Sequence, residues 1–260
     1  MKEKTVYYND PLNDEFSGIG PRRKVKVDAS FRYINNNIFF RAARFVLYRV
    51  IMIPIARAYC FLKFRLRIEG AEVLKQYADG GYYLYGNHTQ TPGDGFIPNM
   101  IAYPKHVYFI VNPDNIAARG TKNIMMMFGT LPIPTCINGY PNFTSSISRR
   151  LEQGAVVTIY PEAHIWPYST VIRPFGPVSF RYPARDGRPV FCFTNTYRRS
   201  PKGKPRIVSY VDGPFFSSAD NERLRRNELR EKVYTAMCRR AEGCDNYPFI
   251  KYVKKEEARQ

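Results

Sequence analysis

The stretch LYGNHTQTPGDGFIP, from Leu84 to Pro98, joins an apolar run to a turn and then to a second apolar segment. The run YYLYG that leads into it is short and uniformly apolar, as expected of a strand buried in a parallel sheet. The Pro-Gly pair in the middle predicts a turn. His88 therefore follows the carboxyl end of a predicted strand, where open α/β sheets place their ligands, and Asp94 follows the turn.

Similar short runs recur along the chain and predict a sheet. They read VYFIV, TLPIP, VVTIY and VFCFTNTY, while KFRLRIEG alternates with period two up to Gly70. Helical patterns accompany them: NFTSSISRRLEQG ends at Gly154, and a long helix capped near Ser218 or Asp220 ends at Gly243. This alternation predicts an α/β fold with a mostly parallel sheet flanked by helices.

The chain is strongly basic, which points to an acidic partner. Its 40 Lys and Arg outnumber 22 Asp and Glu and give a formal net charge of +18. Residues 21–67 hold twelve of the basic residues and a single acid, Asp28, and YRRSPKGKPR at 197–206 is a second basic cluster. Nucleic acid, an anionic lipid surface and a phosphorylated small molecule all fit this charge.

A basic and apolar segment, IFFRAARFVLYRVIMIPIARAYCFLKF at 38–64, follows a polar N-terminal extension predicted over residues 1–37. Its longest uncharged run is far shorter than the roughly 20 apolar residues that span a bilayer. Arg41, Arg44 and Arg49 lie near one helical face, so residues 38–62 are predicted to form an amphipathic helix at a membrane interface. The alternative is a helix that packs on the core and exposes a basic stripe.

The rest of the chain divides into two predicted parts. Residues 63–216 are expected to form the α/β core, and residues 217–260 a C-terminal helix with a basic tail. The N-terminus lacks an apolar signal stretch and the five cysteines are dispersed, which favours a reducing cytoplasm. These cysteines are Cys60, Cys136, Cys192, Cys238 and Cys244. The three histidines are few and far apart in sequence, so no zinc site is expected. No cofactor is predicted either.

His88 and Asp94 have the chemistry of a general base and its partner. A loop folded back at the Pro-Gly turn brings the carboxylate to the Nδ1 side of the imidazole, which leaves Nε2 free to accept a proton from a hydroxyl. This is the base half of a Ser-His-Asp arrangement in which the substrate supplies the hydroxyl. In the alternative interpretation, Asp94 caps a helix and His88 is a loop histidine without a catalytic role.

A second predicted strand also ends in candidate site residues. In VVTIYPEAHIWPY, residues 156–168, Pro161 and Glu162 follow the strand and His164 comes two residues later. Because the carboxyl ends of parallel strands meet at one edge of a sheet, Glu162 is expected near His88. Taken alone, Glu162 fits a capping or salt-bridging role equally well.

In order and spacing, residues 63–211 resemble the PlsC-like glycerolipid acyltransferases, the family of lysophosphatidate and glycerol-3-phosphate acyltransferases. Three of the family's motifs are an Asn-His-x4-Asp motif, a Gly- and Pro-containing strand and a Phe-Pro-Glu-Gly-Thr block. The residues that match them are Asn87, His88 and Asp94, then Gly129, Pro132, Ile133 and Pro134, and then Tyr160, Pro161 and Glu162. A fourth motif, a proline-containing strand, corresponds to RPVFCF at 188–193.

The resemblance implies transfer of a fatty acyl group from acyl-CoA or acyl-carrier protein to a hydroxyl. The acceptor would be a glycerophospholipid precursor such as 1-acyl-glycerol-3-phosphate. His88 would be the general base, with Asp94 as its partner. Glu162, Pro161 and Gly129 would bind the acceptor. The basic helix would hold the enzyme at the cytoplasmic face of an anionic membrane, as a peripheral or monotopic protein.

The chain departs from the family's pattern near each candidate site. Five residues instead of four separate His88 from Asp94, and the arginines expected after the second and third motifs are absent. Arg173, or Arg149 and Arg150, would then bind the acceptor phosphate, since a guanidinium suits phosphate wherever it lies. Solvated surface arginines are the alternative interpretation of all three.

These departures leave several alternatives open. His164 would contact Glu162 or the phosphates of the acyl donor, or would pack against Trp166 as a structural residue. The missing arginines motivate an acceptor without phosphate, a lipid or a sugar. The charge alone would also suit a non-catalytic protein that binds membranes or nucleic acid, although the apolar content of the N-terminal helix favours lipid over nucleic acid.

Overall fold

The computed structural model describes residues 4–16, 25–118, 120–243 and 245–255, so Cys244 and the last five residues of the predicted tail lie outside the described residues. The strands are β1 (Lys4–Tyr8), β2 (Arg67–Glu69), β3 (Tyr82–Gly86), β4 (Val107–Val111), β5 (Thr130–Pro132), β6 (Val156–Ile159), β7 (Val190–Arg199), β8 (Pro205–Phe215) and β9 (Ile250–Lys254). The α-helices are α1 (Ile38–Phe45), α2 (Ile53–Phe64), α3 (Gly93–Ile101), α4 (Lys122–Met127), α5 (Tyr140–Glu152), α6 (Arg181–Asp186) and α7 (Glu222–Ala241).

Seven of the strands form one sheet, in the order β2-β8-β7-β3-β6-β4-β5. Neighbouring strands run parallel except β7 and β8. Successive residues of a strand face opposite sides, so Tyr83 and Tyr85 of β3 pack in one apolar layer and Tyr82 and Leu84 in the other. Helices α5, α6 and α7 cover the first layer, and α2 and α3 cover the second. The predicted α/β fold, a mostly parallel sheet flanked by helices, is confirmed.

Helices α1 and α2 join through a π-helical segment, Val46–Met52, into one helix over Ile38–Phe64. The Asn37 side chain accepts hydrogen bonds from the first-turn amides of this helix. The helix ends where Arg65 takes the left-handed conformation, with φ of 44°. It therefore runs past the predicted end at residue 62, and the strand predicted from Lys63 shortens to β2.

This N-terminal helix has a packed face and a free apolar face. Tyr48, Met52 and Ala56 are buried against the domain, whereas Phe39 and Phe61 are 81% and 65% exposed. Among the described residues, this is the one helix whose length and composition would allow it to span a membrane. Because one face of the helix packs on the domain and another is free, the helix suits a membrane interface, and that membrane contact stays a prediction.

The two ends of the chain pair with each other. β1 and β9 form a two-stranded parallel sheet in which Val6 lies opposite Tyr252. Farther along, Val27, Phe31 and Tyr33 are buried in the main core. The prediction of a polar extension over residues 1–37 is thus wrong for its described part. No local pattern could reveal it, because the partner of β1 lies at the other end of the chain.

The C-terminal part also differs from the sequence-based expectation. β7 and β8 form an antiparallel hairpin whose turn lies in the second basic cluster, and β8 was not predicted. The cap of α7 is Asn221, one residue after Asp220, and its side chain accepts from the Leu224 amide. The segment after α7 contains β9 and is therefore not only a basic tail.

Candidate active site

The loops that follow β3 and β6 carry the main candidate residues. These strands are parallel neighbours, with Tyr85 opposite Ile159, so their loops emerge at the same edge of the sheet. The backbone amide of His88 donates to Oε2 of Glu162 at 2.9 Å. The strand order thus brings His88 and Glu162 together although 74 positions separate them in sequence.

His88 and Asp94 are in direct contact. Nδ1 of His88 donates to Oδ2 of Asp94 at 2.8 Å, since a carboxylate only accepts hydrogen bonds. The Gln90 amide donates to the same oxygen, also at 2.8 Å. The Asp94 amide in turn donates to the Gln90 carbonyl at 2.8 Å, so the loop closes on itself and accommodates the extra residue. Asp94 lies in the first turn of α3, whose N-cap position is Pro92, so Asp94 is not the helix cap.

The two side chains of this contact differ in exposure. The Asp94 side chain is 5% exposed and the His88 side chain 17%. Burial raises the pKa of Asp94, and the hydrogen bond from His88 opposes that rise. In the described part of the chain no group hydrogen-bonds to Nε2 of His88, so this nitrogen is available to a ligand.

Tyr160 fixes the plane of the His88 ring. The two rings stack with centroids 4.3 Å apart and an angle of 15° between their planes. The Tyr160 hydroxyl donates to the Asp94 backbone carbonyl at 2.5 Å. Burial raises the pKa of Tyr160 well above its ordinary value, so the hydroxyl keeps its proton and remains a donor.

Glu162 holds two loops by their backbones. Besides the His88 amide, it accepts from the Arg173 amide at 2.8 Å, and its Oε2 lies 3.5 Å from Nη2 of Arg173. Burial raises the pKa of Glu162, against the opposing effect of the Arg173 charge.

Arg173 is itself 3% exposed and hydrogen-bonds to the carbonyls of Pro11 and His164. Its guanidinium therefore has partners within the protein. A role for Arg173 as a phosphate ligand stays a prediction, and the observed contacts favour a role in positioning Glu162.

The N-terminal segment covers this side of the site. Nδ1 of His164 lies 3.0 Å from a carboxylate oxygen of Glu15, so its imidazole contacts Glu15 and not Glu162. The Trp166 indole donates to the Asp14 carbonyl at 2.8 Å. A substrate role for His164 stays a prediction.

The remaining candidates of this group are Pro161 and Gly129. Pro161 joins Tyr160 to Glu162. Gly129 precedes β5 with φ of 92°, and a Cβ there would lie 2.3 Å from the Val107 carbonyl oxygen, so this close approach explains the glycine. Gly129 therefore lies toward the opposite edge of the sheet, and its role in substrate binding stays a prediction.

Arg149 and Arg150 end α5, which leads into the start of β6, and so they also lie at the opposite edge. Arg149 is exposed, whereas Arg150 is 5% exposed, so the interpretation of Arg150 as a surface arginine is wrong.

Several supporting contacts were not predicted. The Asn87 side chain makes two hydrogen bonds to the Asn195 backbone: its Nδ2 donates to the carbonyl at 3.0 Å, and its Oδ1 accepts from the amide at 2.8 Å. The Tyr197 hydroxyl donates to Oγ1 of Thr89 at 2.7 Å and accepts from the Gln90 amide group at 3.0 Å. β7 lies beside β3, so its polar residues reach the His88 loop. The run TNTY at the end of an apolar strand was the sequence signal.

Comparisons with known proteins agree with the fold. No model of a known protein family matches the chain, and no curated protein matches its sequence. Among solved structures, it is similar to the crystal structure of the 1-acyl-sn-glycerophosphate (LPA) acyltransferase PlsC from Thermotoga maritima. The TM-score is 0.52 at 17% sequence identity, over 80% of this chain and 89% of the other. The chain therefore shares the fold of a PlsC acyltransferase.

Proposed function

We propose that this protein transfers a fatty acyl group from a thioester to a hydroxyl of a glycerophospholipid precursor. The observation that carries the proposal is the hydrogen bond of 2.8 Å between Nδ1 of His88 and Oδ2 of Asp94. It holds the imidazole in the tautomer whose Nε2 lacks a proton and can accept one. The fold shared with a PlsC acyltransferase supports the same reaction class.

The reaction follows from the chemistry of this pair. Nε2 of His88 removes the proton from the acceptor hydroxyl, and the oxygen attacks the thioester carbonyl carbon. The C–S bond of the tetrahedral intermediate then breaks, and the imidazolium returns the proton to the leaving thiolate. Backbone amides at this edge of the sheet would stabilise the oxyanion. Asp94 stabilises the imidazolium, while Tyr160 and Glu162 keep the ring and its loop in place.

The donor and the location follow from charge and surface. Acyl-CoA and acyl-carrier protein are both acidic, and a net charge of +18 attracts either. The free apolar face of the N-terminal helix supports a peripheral or monotopic position at the cytoplasmic membrane surface, where a lipid acceptor is available. This arrangement would need no bound metal or cofactor.

A second candidate is acyl transfer to an acceptor without a phosphate. The observation that favours it is the environment of Arg173, whose guanidinium is buried and bound to Glu162 and to two carbonyls. Apart from Arg173, the sequence has no arginine shortly after the third motif. A lipid alcohol or a sugar hydroxyl would then take the place of the phosphorylated acceptor.

The test is thiol release by the purified protein in a nonionic detergent. The donors are acyl-CoA and acyl-carrier protein, and the acceptors are lysophosphatidate, glycerol-3-phosphate and a lipid alcohol without phosphate. We expect His88→Ala and Asp94→Asn to lower turnover by roughly 10²-fold or more, the usual contribution of a general base. Asp212→Asn is the matched control, because Asp212 is a carboxylate that pairs with Arg240. It should lower stability and leave turnover near that of the wild type.

The acceptor that supports release identifies the substrate class. Release that depends on lysophosphatidate or glycerol-3-phosphate and on His88 supports the first candidate. Release with the lipid alcohol alone supports the second. Full turnover in a folded His88→Ala variant, or no release with any acceptor, would reject acyl transfer at this site.

A further inference from the structure

A second site lies at the edge of the sheet opposite His88. Here a cavity of about 760 Å³ opens between the N-terminal helix, the start of β4 and the end of α5. His106 precedes β4 and Ala155 precedes β6, whereas His88 follows β3, which runs parallel to β6. Strands of this length separate the two edges by roughly 15 Å. The cavity is therefore distinct from the candidate active site.

The charged residues that line the cavity are mostly cations. Six basic side chains and a single carboxylate, that of Asp79, contribute to its wall. The basic residues are Arg41, Arg44 and Arg49 from the N-terminal helix, Lys105 before β4, and Arg149 and Arg150 from α5. Basic side chains from three separate elements therefore meet at this cavity. Their mutual repulsion is unfavourable unless an anion lies between them.

Arg150 is the buried member of this group. It is 5% exposed, its Nη1 donates to Oε1 of Gln153 at 3.1 Å, and its guanidinium lies over the Tyr108 ring at 4.7 Å. Its Nε is buried and has no hydrogen-bond partner. Within the described residues Arg150 forms no ion pair with a carboxylate. A buried arginine is normally paired, so an anion from outside would complete its environment.

Aromatic side chains lie beside the cations of this cavity. The Arg44 guanidinium donates to the Tyr108 hydroxyl at 3.2 Å, and the His106 ring stacks on Tyr48 with centroids 3.8 Å apart. Nε2 of His106 is buried and has no partner. Burial and the charges of Arg44, Arg49 and Arg150 lower the pKa of His106 to about 3, so the imidazole is neutral at physiological pH. The positive potential of these arginines therefore reaches the His106 ring, and a bound anion would neutralise it.

We propose that this cavity binds a phosphate group, held by Arg44, Arg49 and Arg150. Converging guanidinium groups match the several oxygens and the charge of a phosphate better than those of a single carboxylate. The cavity has room for more than the phosphate itself, so it can also hold part of the molecule that bears the phosphate. A phospholipid headgroup and a soluble phosphorylated compound share this chemistry. The proposal does not depend on acyl transfer at His88.

The first experiment measures binding of inorganic phosphate to the full chain in a nonionic detergent by calorimetry, at constant ionic strength. The second measures sedimentation of the full chain, after removal of the detergent, with phosphatidylcholine vesicles that contain or lack phosphatidylglycerol. Vesicles made anionic by oleate, which carries no phosphate, are the comparison. The test variant is Arg44→Gln with Arg49→Gln. The matched control is Arg57→Gln, because Arg57 is an exposed arginine of the same helix that does not line the cavity.

We expect the double variant to bind about tenfold more weakly or worse, since hydrogen bonds to charged groups are worth more than a factor of ten in affinity. Arg57→Gln and His88→Ala should bind within about twofold of the wild type. Binding of inorganic phosphate identifies a soluble ligand, and binding to phosphatidylglycerol vesicles alone identifies a headgroup. Equal loss in the Arg57→Gln variant, equal binding of oleate vesicles, or no loss in the double variant would overturn the proposal.

A second variant distinguishes the loss of phosphate binding from a defect in folding. Arg150→Met replaces the buried cation by an apolar side chain of similar length. Without phosphate we expect its Tm to equal or exceed that of the wild type, and phosphate should no longer raise it. A lower Tm that phosphate still raises would show that Arg150 is a structural residue and would also overturn the proposal.

Discussion

At the residue scale, Glu162 connects the parts of the candidate active site. Its carboxylate accepts the amides of His88 and Arg173, from loops that follow different strands. Because it binds backbone groups, it sets the position of the loop and not only of one side chain. Its burial has a cost, which is visible in the raised pKa of Glu162. The two amides that Glu162 accepts thus fix the loop that carries His88, at a cost in stability.

The raised pKa of Glu162 predicts how stability depends on pH. Between the ordinary pKa and the raised one, the folded state binds more protons than the unfolded state, so folding becomes less favourable as pH rises through this interval. Glu162→Gln removes this titration. We expect the Tm of the wild type, measured relative to that of the variant, to rise as pH falls from about 8 to about 5. A constant difference in Tm would show that burial does not shift this group.

His88 and Asp94 could be predicted from sequence because one short loop contains both, and its Pro-Gly turn indicates that the chain folds back. The contacts of Arg173 with the Pro11 carbonyl and of Trp166 with the Asp14 carbonyl could not. These carbonyls are more than 150 positions away, and a carbonyl has no signature in sequence. The burial of Arg150 was missed for a related reason, because the neighbours of a charged residue depend on the tertiary fold.

At the element scale, strands with uniform apolar runs were predictable and strands of mixed polarity were not. β3, β4 and β6 are buried on both faces, so their composition alone identifies them. β1, β8 and β9 mix charged and apolar residues, and their pairing partners decide whether they form strands. The N-terminal helix was predictable from its arginines and apolar residues. Its end was not, because Arg65 takes a left-handed conformation that usually favours glycine.

The free apolar face of the N-terminal helix predicts membrane binding. Phe39 and Phe61 are among its most exposed apolar side chains, and burying each in lipid would contribute about 2 kcal/mol. We expect Phe39→Ser with Phe61→Ser to weaken binding to vesicles by about 10²-fold or more, measured by sedimentation. Ile137→Ser is the control, since Ile137 is 88% exposed but lies outside the helix. Equal losses in both variants would contradict a specific role for this face.

At the scale of the whole molecule, the two edges of the sheet have different surroundings. One edge carries His88 and is covered by the paired ends of the chain. The other carries the basic cavity and faces the N-terminal helix. Both edges are built from the same parallel strands, so a rigid sheet joins the two sites. A membrane-bound helix would then place the cavity close to lipid headgroups.

Pairing of the chain ends predicts a spectroscopic signal. Trp166 is the single tryptophan of the chain and is 3% exposed, with Tyr8 of β1 at 4.8 Å and Tyr252 of β9 at 4.7 Å between ring centroids. Deleting residues 1–9 removes β1 and uncovers one face of the indole. We expect a red shift of its fluorescence and a Tm lower by several degrees, since an aromatic pair contributes about 1 kcal/mol. Tyr7→Ser should leave the emission unchanged, because Tyr7 is 51% exposed on the same strand. If emission were also unchanged after the deletion, β1 would not cover this side of the site in solution.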